Sequence, residues 1–264
     1  MELAGMVIGL VVTGLFIGVC AGLLGIGGGM VMIPLLRLVF GLDAYMATAT
    51  SLFTIIPTSL SGAISHVRNK TSYPQLGVAL GLGGALTSAF GVQLAALSPA
   101  WAIMLVAAII IFYSAYSMLR KALRRPGKGA PVADPEITIT RKTLVAGFAI
   151  GMAAGLCAGY VGIGGGFLMV PLMTAWLGVP MKKASGTSSV AIIILSIPGV
   201  VAQMMLGHVD YLAGILLAVG SIPGAAVGAR LVSRVNDRQL RFIFAAFLLV
   251  AGVMLILNEL HVFA

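Results

Sequence analysis

Residues 18–29 of the chain read Gly-Val-Cys-Ala-Gly-Leu-Leu-Gly-Ile-Gly-Gly-Gly, and residues 155–166 read Gly-Leu-Cys-Ala-Gly-Tyr-Val-Gly-Ile-Gly-Gly-Gly. The two stretches are 137 residues apart, since 162 − 25 = 137. The same offset relates further pairs, namely Pro34 and Pro171, Thr50 and Thr187, and Ser51 and Ser188. Shared apolar composition would not hold one register over so many glycines and prolines. The sequence therefore indicates a duplication of the whole chain.

The composition excludes most classes of protein. Of 264 residues, 60% are hydrophobic and only 9% are charged, whereas a soluble domain carries about 25% charged residues. A soluble enzyme, a secreted disulfide scaffold and a disordered chain are all excluded. Alternating strands with polar lumen positions are absent, which argues against an outer-membrane barrel. We expect an all-α polytopic membrane protein.

Ten apolar runs follow one another along the chain. They cover residues 3–24, 30–40, 46–66, 74–97, 101–119, 143–161, 167–178, 186–206, 211–229 and 241–258. Most approach the roughly 20 residues that a membrane crossing needs, but the second and the seventh are shorter. Each short run follows a glycine cluster, which predicts a broken helix or a re-entrant one.

The runs divide the chain into three parts. We predict a first membrane repeat over residues 1–119, a basic linker over 120–142 and a second membrane repeat over 143–264. Each repeat then has about five helical elements, with the interruption at its glycine cluster.

The net charge of +9 is concentrated in short stretches between the apolar runs. This is the pattern of cytoplasmic loops in membrane proteins. A nucleic-acid binder would instead mix basic and aromatic residues on one accessible face, so we expect a lipid bilayer as partner and no nucleic acid. The pattern places the 120–142 linker in the cytoplasm and both termini outside the inner membrane.

This topology gives the two repeats opposite orientations in the membrane. Inverted repeats with broken helices are typical of secondary transporters, which bind substrate near the midplane where the repeats meet. The oligomeric state stays open at this point.

The glycine clusters are the first candidate for chemistry. The residues predicted to bind substrate through their backbone are Gly27, Gly28, Gly29, Gly164, Gly165 and Gly166. A helix that begins at such a cluster leaves N–H groups without partners, and a helix N-terminus favours an anion. Two clusters facing each other would make one small anion site. The alternative is close helix packing, which small residues also permit.

Hydroxyl side chains supply the second candidate. Thr50, Ser51, Thr187 and Ser188 recur at the 137-residue offset within apolar runs, and we predict that they add side-chain bonds to the anion. The alternative is a bond to a backbone carbonyl one turn back in their own helix.

Two further residues are candidates for coupling or gating. His66 lies near the end of its run and could titrate, or it could be an ordinary interfacial histidine. Arg230 could receive an anion at the inner mouth, or it could extend from a helix end toward water. All seven acidic residues lie at predicted segment ends or in loops, so an intramembrane carboxylate relay is not evident.

The sequence offers no catalytic grouping. The two cysteines, Cys20 and Cys157, lie in apolar runs and form neither a disulfide framework nor a zinc spacing. We therefore predict no catalytic residue, no metal and no cofactor.

Two copies of Gly-Ile-Gly-Gly-Gly, each followed by an apolar run and a proline, resemble the sulfite exporter TauE/SafE family. The stretches 47–51, 184–188 and 224–231 fit the resemblance too, and it covers nearly the whole chain except the linker. The resemblance implies export of sulfite, sulfoacetate or a related small anion across the bacterial inner membrane. A passive anion channel and a membrane enzyme or redox subunit are the rival interpretations.

Overall fold

The computed structural model describes residues 2–123 and 137–263, which form ten α-helices and one 3₁₀ turn and contain no strand. In chain order the helices are α1 (Glu2–Leu24), α2 (Gly29–Leu38), α3 (Ala44–Arg68), α4 (Pro74–Ala96), α5 (Ala100–Leu123), α6 (Arg141–Val161), α7 (Gly166–Trp176), α8 (Met181–Met205), α9 (Tyr211–Leu231) and α10 (Asp237–Phe263). Seven of these described helices are long and apolar enough to cross a membrane. The prediction of an all-α polytopic membrane protein is confirmed, and each apolar run corresponds to one helix.

Helices enter both ends of the predicted linker. Helix α5 continues to Leu123, and α6 begins at Arg141, where Thr140 accepts a hydrogen bond from the N–H of Thr143. Basic residues in the last turn of α5 suit the negative end of the helix dipole. Residues 124–136, which make up most of the linker, lie outside the described residues, so its cytoplasmic placement stays a prediction.

The two short helices follow the glycine clusters. Helix α2 has 10 residues and α7 has 11, and at about 1.5 Å per residue each covers about half of the roughly 30 Å hydrocarbon core. Their N-cap residues, Gly28 and Gly165, have φ angles of 86° and 70°. The predicted interruptions are therefore present as breaks between α1 and α2 and between α6 and α7.

Two pairs of helices pack closely through small residues. Along α1, Gly14, Gly18 and Gly22 lie against Leu217, Ser221 and Ala225 of α9, so the two helices run in the same direction. Along α6, Gly151 and Gly155 lie against Leu80 and Gly84 of α4, again in the same direction. A Cβ at these positions would collide with the backbone of the facing helix. Glycine therefore allows the two helices of each pair to pack this closely.

Helices α3 and α8 form the centre. They pack against each other, and each also contacts helices of the opposite half, α9 for α3 and α4 for α8. Helix α2 packs on α3 as α7 packs on α8, while α5 pairs with α10. The contacts made by a helix in one half thus recur for its matched helix in the other. This arrangement brings both glycine clusters to the centre of the molecule.

Candidate functional site

The site is built from two loops. The first glycine loop, residues 25–28, joins α1 to α2, and the second glycine loop, residues 162–165, joins α6 to α7. Three glycines in each loop have left-handed φ angles: Gly25 at 69°, Gly27 at 75° and Gly28 at 86°, and Gly162 at 80°, Gly164 at 89° and Gly165 at 70°. Residues with a Cβ rarely adopt this conformation. The duplicated glycines are therefore required by the backbone path of each loop.

Both loops leave buried N–H groups without a partner. Within the described chain, the N–H groups of Gly27, Gly28 and Gly29 have no acceptor in the protein. The same holds for Gly164 and Gly165, whereas the N–H of Gly166 turns back to the carbonyl of Gly164 at 2.9 Å. These donors lie at the positive ends of α2 and α7, where an anion is favoured.

The two loops meet each other. A Cβ on Gly29 would lie 2.9 Å from the carbonyl oxygen of Ile163, and one on Gly166 would lie 2.8 Å from the Cα of Ile26. The structure therefore brings the N-terminal ends of α2 and α7 together, and with them the glycines predicted from the sequence.

Two isoleucines at matched positions complete this region. A Cβ on Gly27 would lie 3.0 Å from Ile55 of α3 and 3.4 Å from Ile192 of α8. Both side chains are fully buried. The donors of the glycine loops are thus enclosed by apolar groups of the two central helices, an environment that strengthens electrostatic interactions.

The two predicted serines hold the loops in place. Ser51 on α3 donates to the carbonyl of Gly162 at 2.7 Å, and Ser188 on α8 donates to the carbonyl of Gly25 at 2.6 Å. Each hydroxyl also lies within 3.0 Å of a carbonyl in its own helix. A hydroxyl has a single proton to donate, and here the carbonyl groups take it. The serine of each half thus positions the glycine loop of the other half.

The two predicted threonines make a different contact. Thr50 accepts from the N–H of Asp210 at 3.0 Å, and Thr187 accepts from the N–H of Tyr73 at 2.9 Å. These partners are the N-cap residues of α9 and α4. The two threonine protons have no acceptor among the described residues. Both hydroxyls are fully buried and keep a donor that a ligand could use.

His66 is buried between helices and does not reach the glycine loops. Its Nε2 lies 2.8 Å from the carbonyl of Gly22 on α1, so Nε2 carries a proton, and its Nδ1 lies 2.8 Å from the hydroxyl of Thr71. A Cβ on Gly186 of α8 would lie 3.0 Å from the imidazole ring. The imidazole thus links α3, α1 and the loop before α4.

Arg230 lies apart from the site. It is exposed in the last turn of α9, and its side chain has no hydrogen bond or ion pair within the part of the chain that the structure describes. The structure does not bring it to the glycine loops.

A pair of polar residues that matches His66 and Thr71 was not predicted from the sequence. The 137-residue offset leads to Gln203 and His208 (66 + 137 = 203 and 71 + 137 = 208), whose Oε1 and Nδ1 atoms lie 3.1 Å apart. Gln203 is buried. Applying the repeat offset to His66 would have found this pair.

A carboxylate that caps a remote helix was also missed. Asp237 of α10 accepts from the N–H groups of Met181 and Lys182 at 2.9 and 3.0 Å and pairs with Arg241 at 3.2 Å. No local signal predicts this, because the cap and the helix are more than 50 residues apart. The other two carboxylates with described side chains, Asp43 and Asp210, cap their own helices.

Comparison with known proteins gives matches along almost the whole chain. The probable membrane transporter protein YunE of Bacillus subtilis is 30% identical over 94% of this chain and 96% of its own length. The probable membrane transporter protein YdhB of the same organism is 31% identical over 91% of this chain and 96% of its own length. MJ0441 of Methanocaldococcus jannaschii, another probable membrane transporter protein, is 23% identical over 94% of both chains. No solved structure matches significantly.

The fold and these relatives together define a multi-pass membrane transporter. The family model described as "Sulfite exporter TauE/SafE" matches residues 10–255, so the chain belongs to the sulfite exporter TauE/SafE family. The resemblance noted from the glycine motifs is confirmed.

Proposed function

We propose that this protein is a secondary transporter that exports a small anion, such as sulfite, sulfoacetate or a related organic anion, across the bacterial inner membrane. The anion binds where the two glycine loops meet. Movement of the two halves of the chain opens this binding site to one side of the membrane and then to the other. The family description supports the substrate class.

The observation that carries this proposal is the meeting of two buried helix N-termini with unpaired N–H groups. The donors of Gly27, Gly28 and Gly29 and those of Gly164 and Gly165 have no acceptor in the described chain. Unpaired buried donors cost about 1–3 kcal/mol each, and an anion would offset that cost. None of the three carboxylates with described side chains lies at this place to repel one.

The hydroxyl groups have two roles in the proposal. Ser51 and Ser188 hold the loops in the donor-exposing conformation through their bonds to Gly162 and Gly25. Thr50 and Thr187 keep free protons, which become donors to the anion when the helices rearrange. His66 has a role in gating the path of the anion or in coupling its transport to protons. Arg230, at the end of α9, attracts the anion to one mouth.

Helix directions support an inverted relation between the halves. Helix α9 runs in the same direction as α1 and α3, and α4 runs in the same direction as α6 and α8. Helices α3 and α8 run in opposite directions, because Gly186 lies against His66 whereas Gly199, further along α8, lies against Leu52 near the start of α3. Matched helices such as α1 and α6 therefore run opposite ways, as two inverted repeats require.

Transport in proteoliposomes tests the function. We expect purified protein to move sulfite against its concentration gradient when a proton or ion gradient is applied. A passive anion channel would only equilibrate sulfite across the membrane. If neither sulfite nor any of thiosulfate, sulfoacetate, sulfolactate and simple carboxylates is moved or bound, the substrate class is wrong.

The rival of an enzyme or redox subunit has its own test. Replacing Cys20 and Cys157 by Ala should leave transport intact, whereas a redox role for these thiols predicts loss of activity. The resulting cysteine-free protein is also the background for labelling experiments.

Thiol labelling in intact cells tests the topology. We expect Ala130→Cys, in the proposed cytoplasmic linker, to resist an impermeant thiol reagent, and Phe263→Cys to react. Reaction at residue 130 with protection at residue 263 would overturn the proposed orientation.

A further inference from the structure

Helices α3 and α8 each carry a matched row of residues on one face. Spacings of three and four residues place side chains of a helix on the same face. The row on α3 consists of Ser51, Ile55, Ser59, Gly62 and His66, and the row on α8 consists of Ser188, Ile192, Ser196, Gly199 and Gln203. Each row begins at the serine that holds a glycine loop and ends at His66 or Gln203, where polar side chains pair.

The glycine in each row is not required by close packing. A Cβ on Gly62 would meet nothing nearer than 3.8 Å, and a Cβ on Gly199 nothing nearer than 3.7 Å. At Gly18, Gly22 and Gly155, by contrast, a Cβ would collide with the backbone of the next helix. A methyl group would fit at either position in ordinary van der Waals contact, so Gly62 and Gly199 leave room for about one methyl group in the centre of the molecule.

Buried hydroxyls without partners lie in the two rows or face them. Ser59, Ser88 and Ser196 are 3%, 1% and 0% exposed, and none of the three has a hydrogen-bond partner among the described residues. The hydroxyl of Ser88 is the atom found 3.7 Å from the Cβ position of Gly199. Buried side-chain hydroxyls are normally hydrogen-bonded, and leaving one unpaired costs about 1–3 kcal/mol. Two of these hydroxyls lie in the rows and the third faces Gly199, and their missing partners point to a polar ligand that passes here.

We propose that these residues line two polar half-paths by which the transported anion reaches and leaves the glycine loops. The first half-path is lined by Ser59, Gly62 and Ser189, whose hydroxyl lies 3.8 Å from the Cβ position of Gly62. The second half-path is lined by Ser196, Gly199 and Ser88. This proposal rests on the proposed function for the identity of the cargo.

Ile55 and Ile192 separate the two half-paths at the glycine loops, where both are fully buried. The first half-path is closed at its far end by His66, which bonds Gly22 of α1. The second is closed by the pair of Gln203 and His208. Opening one of these ends at a time would expose the glycine loops to one side of the membrane only.

The test uses serines as matched probes. In the protein lacking Cys20 and Cys157, Ser59→Cys and Ser196→Cys place a thiol in each half-path with almost no change in size. Ser114→Cys is the control, because Ser114 of α5 is equally buried and unpartnered but lies on the side of the molecule, where α5 pairs with α10. The probe is a small negatively charged methanethiosulfonate, applied to intact cells and to inside-out vesicles.

We expect the reagent to modify Ser59→Cys from one side of the membrane and Ser196→Cys from the other, each at least about ten-fold faster than Ser114→Cys. Rates equal to that of Ser114→Cys, or modification of both positions from the same side, would overturn the half-paths. If a cysteine variant does not fold, Gly62→Cys and Gly199→Cys probe the same two places.

The outcome separates this proposal from the substrate assignment. Modification from opposite sides without any effect of sulfite on the rates, and without sulfite transport, would support the half-paths and overturn sulfite as cargo. Protection of both thiols by sulfite supports both proposals. Ser59→Ala, Ser196→Ala and Ser114→Ala each remove an unpaired buried hydroxyl and should raise the thermal stability slightly. Only Ser59→Ala and Ser196→Ala should also slow sulfite transport.

Discussion

The two halves of the chain agree at the glycine loops and differ at the ends of α3 and α8. At the centre, the left-handed glycines and the serine bonds to the opposite loop recur at the 137-residue offset. At the far ends, a histidine and a threonine in one half correspond to a glutamine and a histidine in the other. Substrate binding between two halves needs the same donors from both, whereas the two sides of a membrane differ in their environment. This contrast supports the proposal that the shared centre binds the anion and that the two ends have separate tasks.

The largest expected effect tests the symmetric centre. In Gly28→Ala and Gly165→Ala, the new methyl group would lie 2.7 Å from Ile17 or 3.2 Å from the carbonyl of Ala154, at a left-handed φ. Loss of one charge-assisted bond of about 1.5–3 kcal/mol should weaken sulfite binding about ten- to a hundred-fold. Binding is measured by calorimetry on well-folded protein.

The control is Gly178→Ala. Gly178 has a φ of 68° but nothing within 4 Å of its Cβ position, so this change adds backbone strain of about 1–3 kcal/mol without crowding. It should lower the thermal stability and leave sulfite affinity unchanged. If folded Gly28→Ala and Gly165→Ala both bind sulfite as the original protein does, the loop glycines serve packing alone.

The next effect tests the reciprocal bonds between the halves. Ser51→Ala and Ser188→Ala each leave a buried loop carbonyl without its donor from the other half. We expect each change to lower the free energy of unfolding by about 1–3 kcal/mol, as followed by thermal unfolding in detergent, and to weaken anion binding. Because the contacts are matched, the two changes should have similar effects.

Ser185→Ala serves as the control for the serines. Its hydroxyl bonds only the carbonyl of Met181 in its own helix, at 3.1 Å, and such bonds contribute little to stability. Equal losses in Ser51→Ala and Ser185→Ala would show that the bond between the halves does not matter.

A third experiment exchanges the differing ends. His66→Gln with Thr71→His recreates in the first half the pair found in the second, so we expect it to fold. His66→Ala leaves the carbonyl of Gly22 unpaired and should lower the free energy of unfolding by about 1–3 kcal/mol.

The pH dependence of transport tests whether His66 carries the proton. Both ring nitrogens of His66 are already bonded within the protein. We therefore expect His66→Gln to keep pH-dependent transport in proteoliposomes, with the proton carried by the substrate, as in bisulfite. Normal transport without pH dependence would assign proton coupling to His66.

The smallest effect concerns the helix caps. Asp43 caps α3 locally through the N–H of Met46, whereas Asp237 caps α8 from α10 through two N–H groups. We expect Asp237→Ala to lower the free energy of unfolding by about 1–2 kcal/mol and Asp43→Ala by about half as much. Equal losses of unfolding free energy in the two variants would show that the cap of α8 by Asp237 stabilises the protein no more than the local cap of α3 by Asp43.

The helices and the places where they break could be predicted from residue order alone. Apolar length predicts the ten helices, because the hydrocarbon core demands about 20 apolar residues per crossing. The glycine repeats predict where helices stop, because only glycine takes left-handed φ angles without strain. The 137-residue offset also identified the loop glycines and the two serines that bond them.

The hydrogen-bond partner of each group, by contrast, depends on how the helices pack. The pattern places Ser51 on a face of α3, but it does not tell that Gly162, 111 residues away, accepts its proton. The remote cap by Asp237 and the unpaired hydroxyls of Ser59 and Ser196 were hidden for the same reason. Helical periodicity fixes the direction of a side chain, whereas its hydrogen bonds depend on which helix packs against that face and at what depth.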